Sequence, residues 1–180
     1  MAKNILENLI EKLEKAKLQL LILQLQLRVI FLQQKLTIPN LPMPKILVIH
    51  HGGGSWGFDQ VNNHHRNKWG FKSSLGFYLG YQKWIEYTGQ LYIARRDNEE
   101  GAHLAVEGKP HWWNRNSVGL CLQGNLEIKK PTEWQLMTLK DELDSYVARG
   151  FEIEYHGNIE PTACPGKYLV EWLKQNKYIK

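Results

Sequence analysis

Leucine recurs every seven residues at the start of the chain. Leu6, Leu13, Leu20 and Leu27 fall at one position, and Leu9, Ala16, Leu23 and Ile30 fall three further on. Four such heptads make the seam of a coiled coil, so the spacing predicts a helix over residues 5–32. Leu18, Leu25 and Leu32 add apolar surface on the opposite side, relieved by Gln19, Gln24, Gln26 and Arg28. Such a helix can pair with a copy of itself, dock on the domain that follows, or lie on a membrane surface. The apolar run from Leu18 to Leu32 is short of the ~20 residues a span needs and contains Gln and Arg, which disfavours a transmembrane segment. No small-residue cleavage site follows it, which disfavours a cleaved signal peptide. Gln19 to Val29 also alternates in the manner of a strand. Residues 38–44 then hold Pro39, Pro42 and Pro44, a stiff extended linker between an N-terminal segment, residues 1–37, and a domain, residues 45–180.

Beyond the linker the pattern shortens and alternates. Lys45-Ile-Leu-Val-Ile-His50 is apolar and β-branched, which predicts a buried strand. Phe58 to Trp69 predicts a short helix. Leu75 to Ile85 and Gln90 to Ile93 predict a strand pair turning near Thr88-Gly89. Gly101 to Asn116 reads as a loop, and Ser117 to Leu122 as a second buried strand with Cys121 in the core. Thr132-Glu-Trp-Gln135 is a capping box opening a helix with Leu136, Leu139, Leu143 and Val147 at helical spacing, and Gly150 ends it. Phe151 to Tyr155 predicts a strand, and Pro165 opens a last helix carrying Tyr168, Leu169 and Leu173. This alternation predicts an α/β domain, a central sheet with helices on its faces.

Composition adds limits. With 43% apolar residues the 180-residue chain can bury a core, and seven Trp leave aromatic rings to spare for a groove. The net charge is +5, of which residues 1–44 carry +3 and residues 45–180 carry +2. The domain is near balance and has no basic stripe, so nucleic acid is not the expected partner. Two cysteines do not make a disulfide framework.

The candidate chemistry centres on His156-Gly-Asn-Ile-Glu-Pro-Thr-Ala-Cys-Pro-Gly166. Pro161 and Pro165 exclude a helix interior or a central strand from Glu160 to Gly166. A stiff loop there can aim an imidazole and a thiol at one point, and both are preferred zinc donors. His50, at the end of the first strand, supplies a third. Three protein donors with an open position make a catalytic zinc arrangement, whereas a closed structural site needs a fourth, for which His51 or His103 is available. Gly52-Gly-Gly-Ser-Trp-Gly57 matches the spacing of a dinucleotide-binding loop, but residues 70–82 lack the acidic residue that reading requires. The glycines are better read as a sharp turn beside the imidazoles. His64 and His65 point about 100° apart on a helix and read as surface or partly packed residues. Trp112 and Trp113 cannot both reach the core from a polar loop, so either both pack beneath it or one lines a groove where sugar or peptide could stack.

Ile49-His50-His51-Gly52, Gly80-Tyr81, Gly101-Ala-His103, Asn114-Arg-Asn-Ser-Val-Gly119, His156 and Pro161-Thr-Ala-Cys-Pro-Gly166 follow one another in an order that resembles the zinc N-acetylmuramoyl-L-alanine amidases. That family includes phage endolysins and the peptidoglycan recognition proteins. The resemblance covers about residues 45–175 and leaves the N-terminal segment outside. It implies the amidase and recognition-protein fold, a mainly mixed sheet flanked by helices. It implies one catalytic Zn²⁺ held by His50, His156 and Cys164, with Tyr81 and Thr162 as catalytic donors. His51, His103, Trp112, Trp113 and Asn114 are expected to border the substrate or to support the ligands. The implied reaction is cleavage of peptidoglycan between the lactyl group of N-acetylmuramic acid and L-alanine. A peptidoglycan-binding module that does not cut is the alternative, but family members of that kind typically lack the Cys or the Tyr. Gln82 stands where a His usually follows the Tyr, and Cys121 where another branch carries a catalytic Glu. The Leu104–Trp113 loop is longer than in compact phage members. Cell wall is the expected site of action, and the export route stays open.

Overall fold

The structure is a computed structural model, and it describes Lys15, Lys17, Gln19 and residues 44–109 and 111–180. Lys15, Lys17 and Gln19 are helical and exposed. The heptad seam, the linker before Pro44, and with them the expected self-association or membrane contact, lie outside the described residues.

Five strands form one sheet. They are β1 (Ile46–His51), β2 (Lys83–Ile85), β3 (Leu91–Ile93), β4 (Ser117–Leu122) and β5 (Glu152–Tyr155), in the order β3-β2-β4-β1-β5. β4 runs parallel to β1 and β2, β5 runs parallel to β1, and only β3 is antiparallel to its neighbour. The sheet is therefore mixed, as expected. The helices of the domain are α1 (Phe58–Trp69), α2 (Trp112–Asn116), α3 (Glu133–Ala148), α4 (His156–Ile159) and α5 (Lys167–Gln175).

β4 is buried at all six positions, because helices or loops cover both faces of a central parallel strand. On one face Leu47, Ile49, Leu120 and Leu122 pack against Leu139 and Leu143 of α3 and Leu169 of α5. On the other face Phe58 of α1 packs with Trp84, Cys121 and Leu79. Strand alternation then decides the site: Leu47 and Ile49 point into the first core, so His50 points to the opposite face. In the sheet His50 pairs with Cys121. The carboxyl ends of β1, β4 and β5 lie together, the usual place for a site in parallel sheets.

The capping box of α3 forms as the sequence indicates. Thr132 Oγ1 accepts from the Gln135 amide at 3.1 Å, and Gln135 Oε1 accepts from the Thr132 amide at 3.1 Å. The last helix starts at Lys167, two residues after Pro165. The larger departure is at residues 75–82, where the sequence suggested strand. The strand proper begins at Lys83. The amides of residues 78–80 are taken by α1 side chains instead: Tyr78 and Leu79 donate to Asn62 Oδ1 at 2.7 and 3.0 Å, and Gly80 donates to His65 Nδ1 at 2.9 Å. Asn62 and His65 are three apart and share one helix face. Arg95, almost fully buried, holds the same segment from the other side, with Nε donating to the Leu79 carbonyl at 2.6 Å and Nη2 donating to the Phe71 carbonyl. Tyr81 is thereby set on a short irregular segment fastened from both sides.

Candidate metal centre

His50, at the end of β1, is 1% exposed. Its Nδ1 lies 3.7 Å from Cys164 Sγ, and its Nε2 lies 3.0 Å from His103 Nδ1. Burial, reinforced by the neighbouring imidazoles of His103, His156 and His51, holds its pKa well below 6.5. The ring is neutral at ordinary pH and has a lone pair to offer. His156 opens α4 directly after β5, with its ring centroid 4.8 Å from that of His50. Cys164 is returned to the same place by its loop, in which the Gly157 amide donates to the Cys164 carbonyl at 2.7 Å. A side chain at position 157 would meet the carbonyl oxygens of Thr162 and Cys164 below 3 Å, so glycine lets the loop close.

One ligand atom from each of His50, His156 and Cys164 falls within 4.8 Å of the others. Zinc in tetrahedral coordination, with bonds of about 2.0 Å to nitrogen and 2.3 Å to sulfur, sets its donors roughly 3.5 Å apart. The 3.7 Å between Cys164 Sγ and His50 Nδ1 agrees with that spacing. Burial pushes the Cys164 thiol up to about 11, against the pull of the His51 amide, which donates to Sγ at 3.3 Å. Metal binding there displaces a proton. The residues present fit a zinc ion.

The neighbours have distinct placements. His51 alternates to the far side of β1, where Nδ1 accepts from the Leu126 amide at 3.0 Å. His103 is buried at 6% exposure and lies on Gly119 of β4, where an added Cβ would sit 2.6 Å from its ring. If His50 ligates through Nδ1, its Nε2–H donates to His103 Nδ1, and the His103 proton sits on Nε2. That atom is buried without a hydrogen-bond partner. Burial lowers the His103 pKa to about 3, only partly offset by the backbone of Ser117. Asn114 spends its amide on the loop, accepting from the amides of His103 and Leu104 at 2.9 and 3.1 Å and donating to the Leu104 carbonyl at 2.7 Å. It fixes the backbone of His103. Trp112, half exposed on α2, stands edge-on to Trp113 at 5.0 Å.

The Tyr81 ring lies 5.2 Å from that of His50. Burial raises its phenol well above the usual value, and Cys121, against its hydroxyl, and Cys164 add to the rise. Tyr81 therefore stays protonated and can donate. Cys121 is fully buried beneath it. Thr162 is exposed, with Oγ1 accepting from the Cys164 amide at 3.3 Å.

Four residues of this environment escaped the sequence reading. His65, expected at the surface or partly packed, is buried and holds Gly80; Asn62 and Arg95 fasten the Tyr81 segment, and Glu160 contacts His156. Gln82, noted only as a departure, is buried and bridges the Glu99 carbonyl and the Gly119 amide. A helical spacing signal existed for Asn62 and His65 and for His156 and Glu160, four apart, but nothing in the sequence named their targets.

A sequence model of the N-acetylmuramoyl-L-alanine amidases matches residues 40–167. The chain belongs to that family. It is 30% identical over 108 residues to the endolysin of Enterobacteria phage T3, covering 54% of this chain and 71% of the relative. It is 26% identical over 133 residues to peptidoglycan-recognition protein SC2 of Drosophila melanogaster, covering 66% of each. Among solved structures, the fold resembles the N-acetylmuramoyl-L-alanine amidase LysC from Clostridium intestinale URNW, with a TM-score of 0.62, 22% identity, and coverage of 77% of this chain and 87% of that one. Among the described residues of this amidase-family chain, no helix is long and apolar enough to cross a membrane.

Proposed function

We propose that the chain is a zinc-dependent hydrolase that cuts peptidoglycan at the amide between N-acetylmuramic acid and L-alanine. The observation that carries this reading is the convergence of His50, His156 and Cys164 on one point, with the Tyr81 ring against His50. A zinc ion bound there supplies Lewis acidity both for the scissile carbonyl and for water.

The rest falls to the chain's own residues. His103 holds His50 in the tautomer that leaves Nδ1 free. Tyr81 keeps its proton and offers it as a hydrogen bond to the oxygen on which negative charge grows, a contribution of the order of 3 kcal/mol for one such donor. Thr162, two residues before Cys164, is a second donor on the exposed rim. Trp112 offers a half-exposed ring for stacking of sugar or peptide at the groove.

The test is the release of new L-alanine amino termini from purified peptidoglycan, with and without a chelator. Release that the chelator stops, and that zinc restores, is the expected result. Tyr81→Phe should lose roughly a hundredfold or more in turnover while keeping its zinc. Zinc-loaded protein that binds peptidoglycan and releases no termini would instead make this a recognition module.

A further inference from the structure

We infer that Glu160 is a positioning residue for this centre, fixing the ring of His156 and tying it to the Leu104–Trp113 loop. The inference rests on the reading of His156 as a zinc ligand.

Glu160 follows the single turn of α4, and its amide donates to the His156 carbonyl at 3.0 Å. That turn places position 160 over position 156, so the carboxylate reaches back to the imidazole. Glu160 Oε2 lies 2.9 Å from His156 Nε2, with only about a fifth of either side chain exposed. A ring nitrogen that donates a hydrogen bond has no lone pair for a metal. The contact therefore assigns the proton to Nε2 and leaves Nδ1 of His156 as the donor, the same nitrogen that His50 turns toward Cys164. The two histidines are held in the same tautomer by different means, His50 by the neutral ring of His103 and His156 by a carboxylate.

A carboxylate hydrogen-bonded to a ligand histidine stops the ring from turning and makes its free nitrogen more basic. Among the described residues, Glu160 is the carboxylate that hydrogen-bonds to one of the three ligands. The same Oε2 also accepts from the Ala105 amide at 3.4 Å. Ala105 lies in the long loop whose start is clamped by Asn114. One oxygen thus receives both a metal ligand and a backbone group of the loop beside it. The loop and the imidazole of His156 meet on one carboxylate.

The experiment measures zinc affinity of the full chain by competition with a chromophoric chelator, for the unaltered protein, Glu160→Ala and Glu160→Gln. The visible spectrum of the cobalt-loaded forms reports ligand geometry independently of turnover. Glu160→Ala should bind zinc about 10–100-fold more weakly and shift the cobalt bands. Glu160→Gln retains an acceptor oxygen without the charge, so its affinity should fall between the other two. If the alanine variant fails to fold, the near-isosteric glutamine variant still carries the test, with zinc binding several-fold weaker than in the unaltered protein. Affinities within twofold of the unaltered protein, with unchanged cobalt spectra, overturn the role of Glu160 and leave the zinc reading intact. An unaltered protein that binds no zinc overturns both.

Discussion

His50 and His65 show how one residue type takes opposite duties in one domain. His50 divides its ring between Cys164 and His103, so both nitrogens face groups that bear on the site. His65 spends Nδ1 on the Gly80 amide and so holds the residue next to Tyr81. Burial lowers the His65 pKa from 6.5 to about 4, with the nearby charges of His64, Lys68 and Arg95 acting in the same direction. The folded state thus resists protonation that the unfolded chain accepts. The stability owed to neutral His65 is complete above pH 6.5 and is lost as the pH falls toward 4. His65→Asn keeps an acceptor for Gly80 but does not titrate. Denaturation midpoints measured from pH 7 to 4 should therefore fall less steeply in that variant than in the parent, and parallel curves would remove this role. The sequence already marks His50 as a candidate metal ligand, but it does not reveal that His65 is spent on Gly80, because the target of that ring is a backbone amide.

At the scale of elements, β4 is the part on which the site rests. Gly119 lets the His103 ring lie flat on the strand, and Cys121, two residues on, lies beneath Tyr81. A methyl group at position 119 would come within 2.6 Å of His103 Cγ and 3.0 Å of the Nδ1 that faces His50. Gly119→Ala is expected to cost about 1–3 kcal/mol as the strand or the ring gives way. A urea midpoint equal to that of the parent would show that His103 has room to withdraw. The elements themselves were largely legible. The runs at 46–51 and 117–122 declare buried strands, and the Thr132–Gln135 box marks the start of α3. Residues 75–82 misled because apolar and aromatic residues there satisfy a strand pattern, while the backbone partners of residues 78–80 include side chains of α1 and Arg95. A pattern of side chains does not report where the amides go.

At the scale of the molecule, the three candidate ligands come from residue 50 and from residues 156 and 164, which only the fold brings together. Zinc that binds this arrangement and not the unfolded chain must stabilise the fold, by about 2.7 kcal/mol at a free concentration 100 times Kd. Chelation is thus expected to lower the thermal midpoint, and zinc alone to restore it. A midpoint indifferent to both would count against the centre. The sequence by itself determined the order of the strands and of the three longer helices, the donor types, and the family motifs that bind them together, since periodicity, capping and spacing are local properties. It did not determine which ring nitrogens are free, or that the carboxylate touching His156 also reaches the Ala105 amide. Those depend on which face of β1 meets α3 and α5, and on the close approach of loops more than fifty residues apart. Only packing in three dimensions decides them.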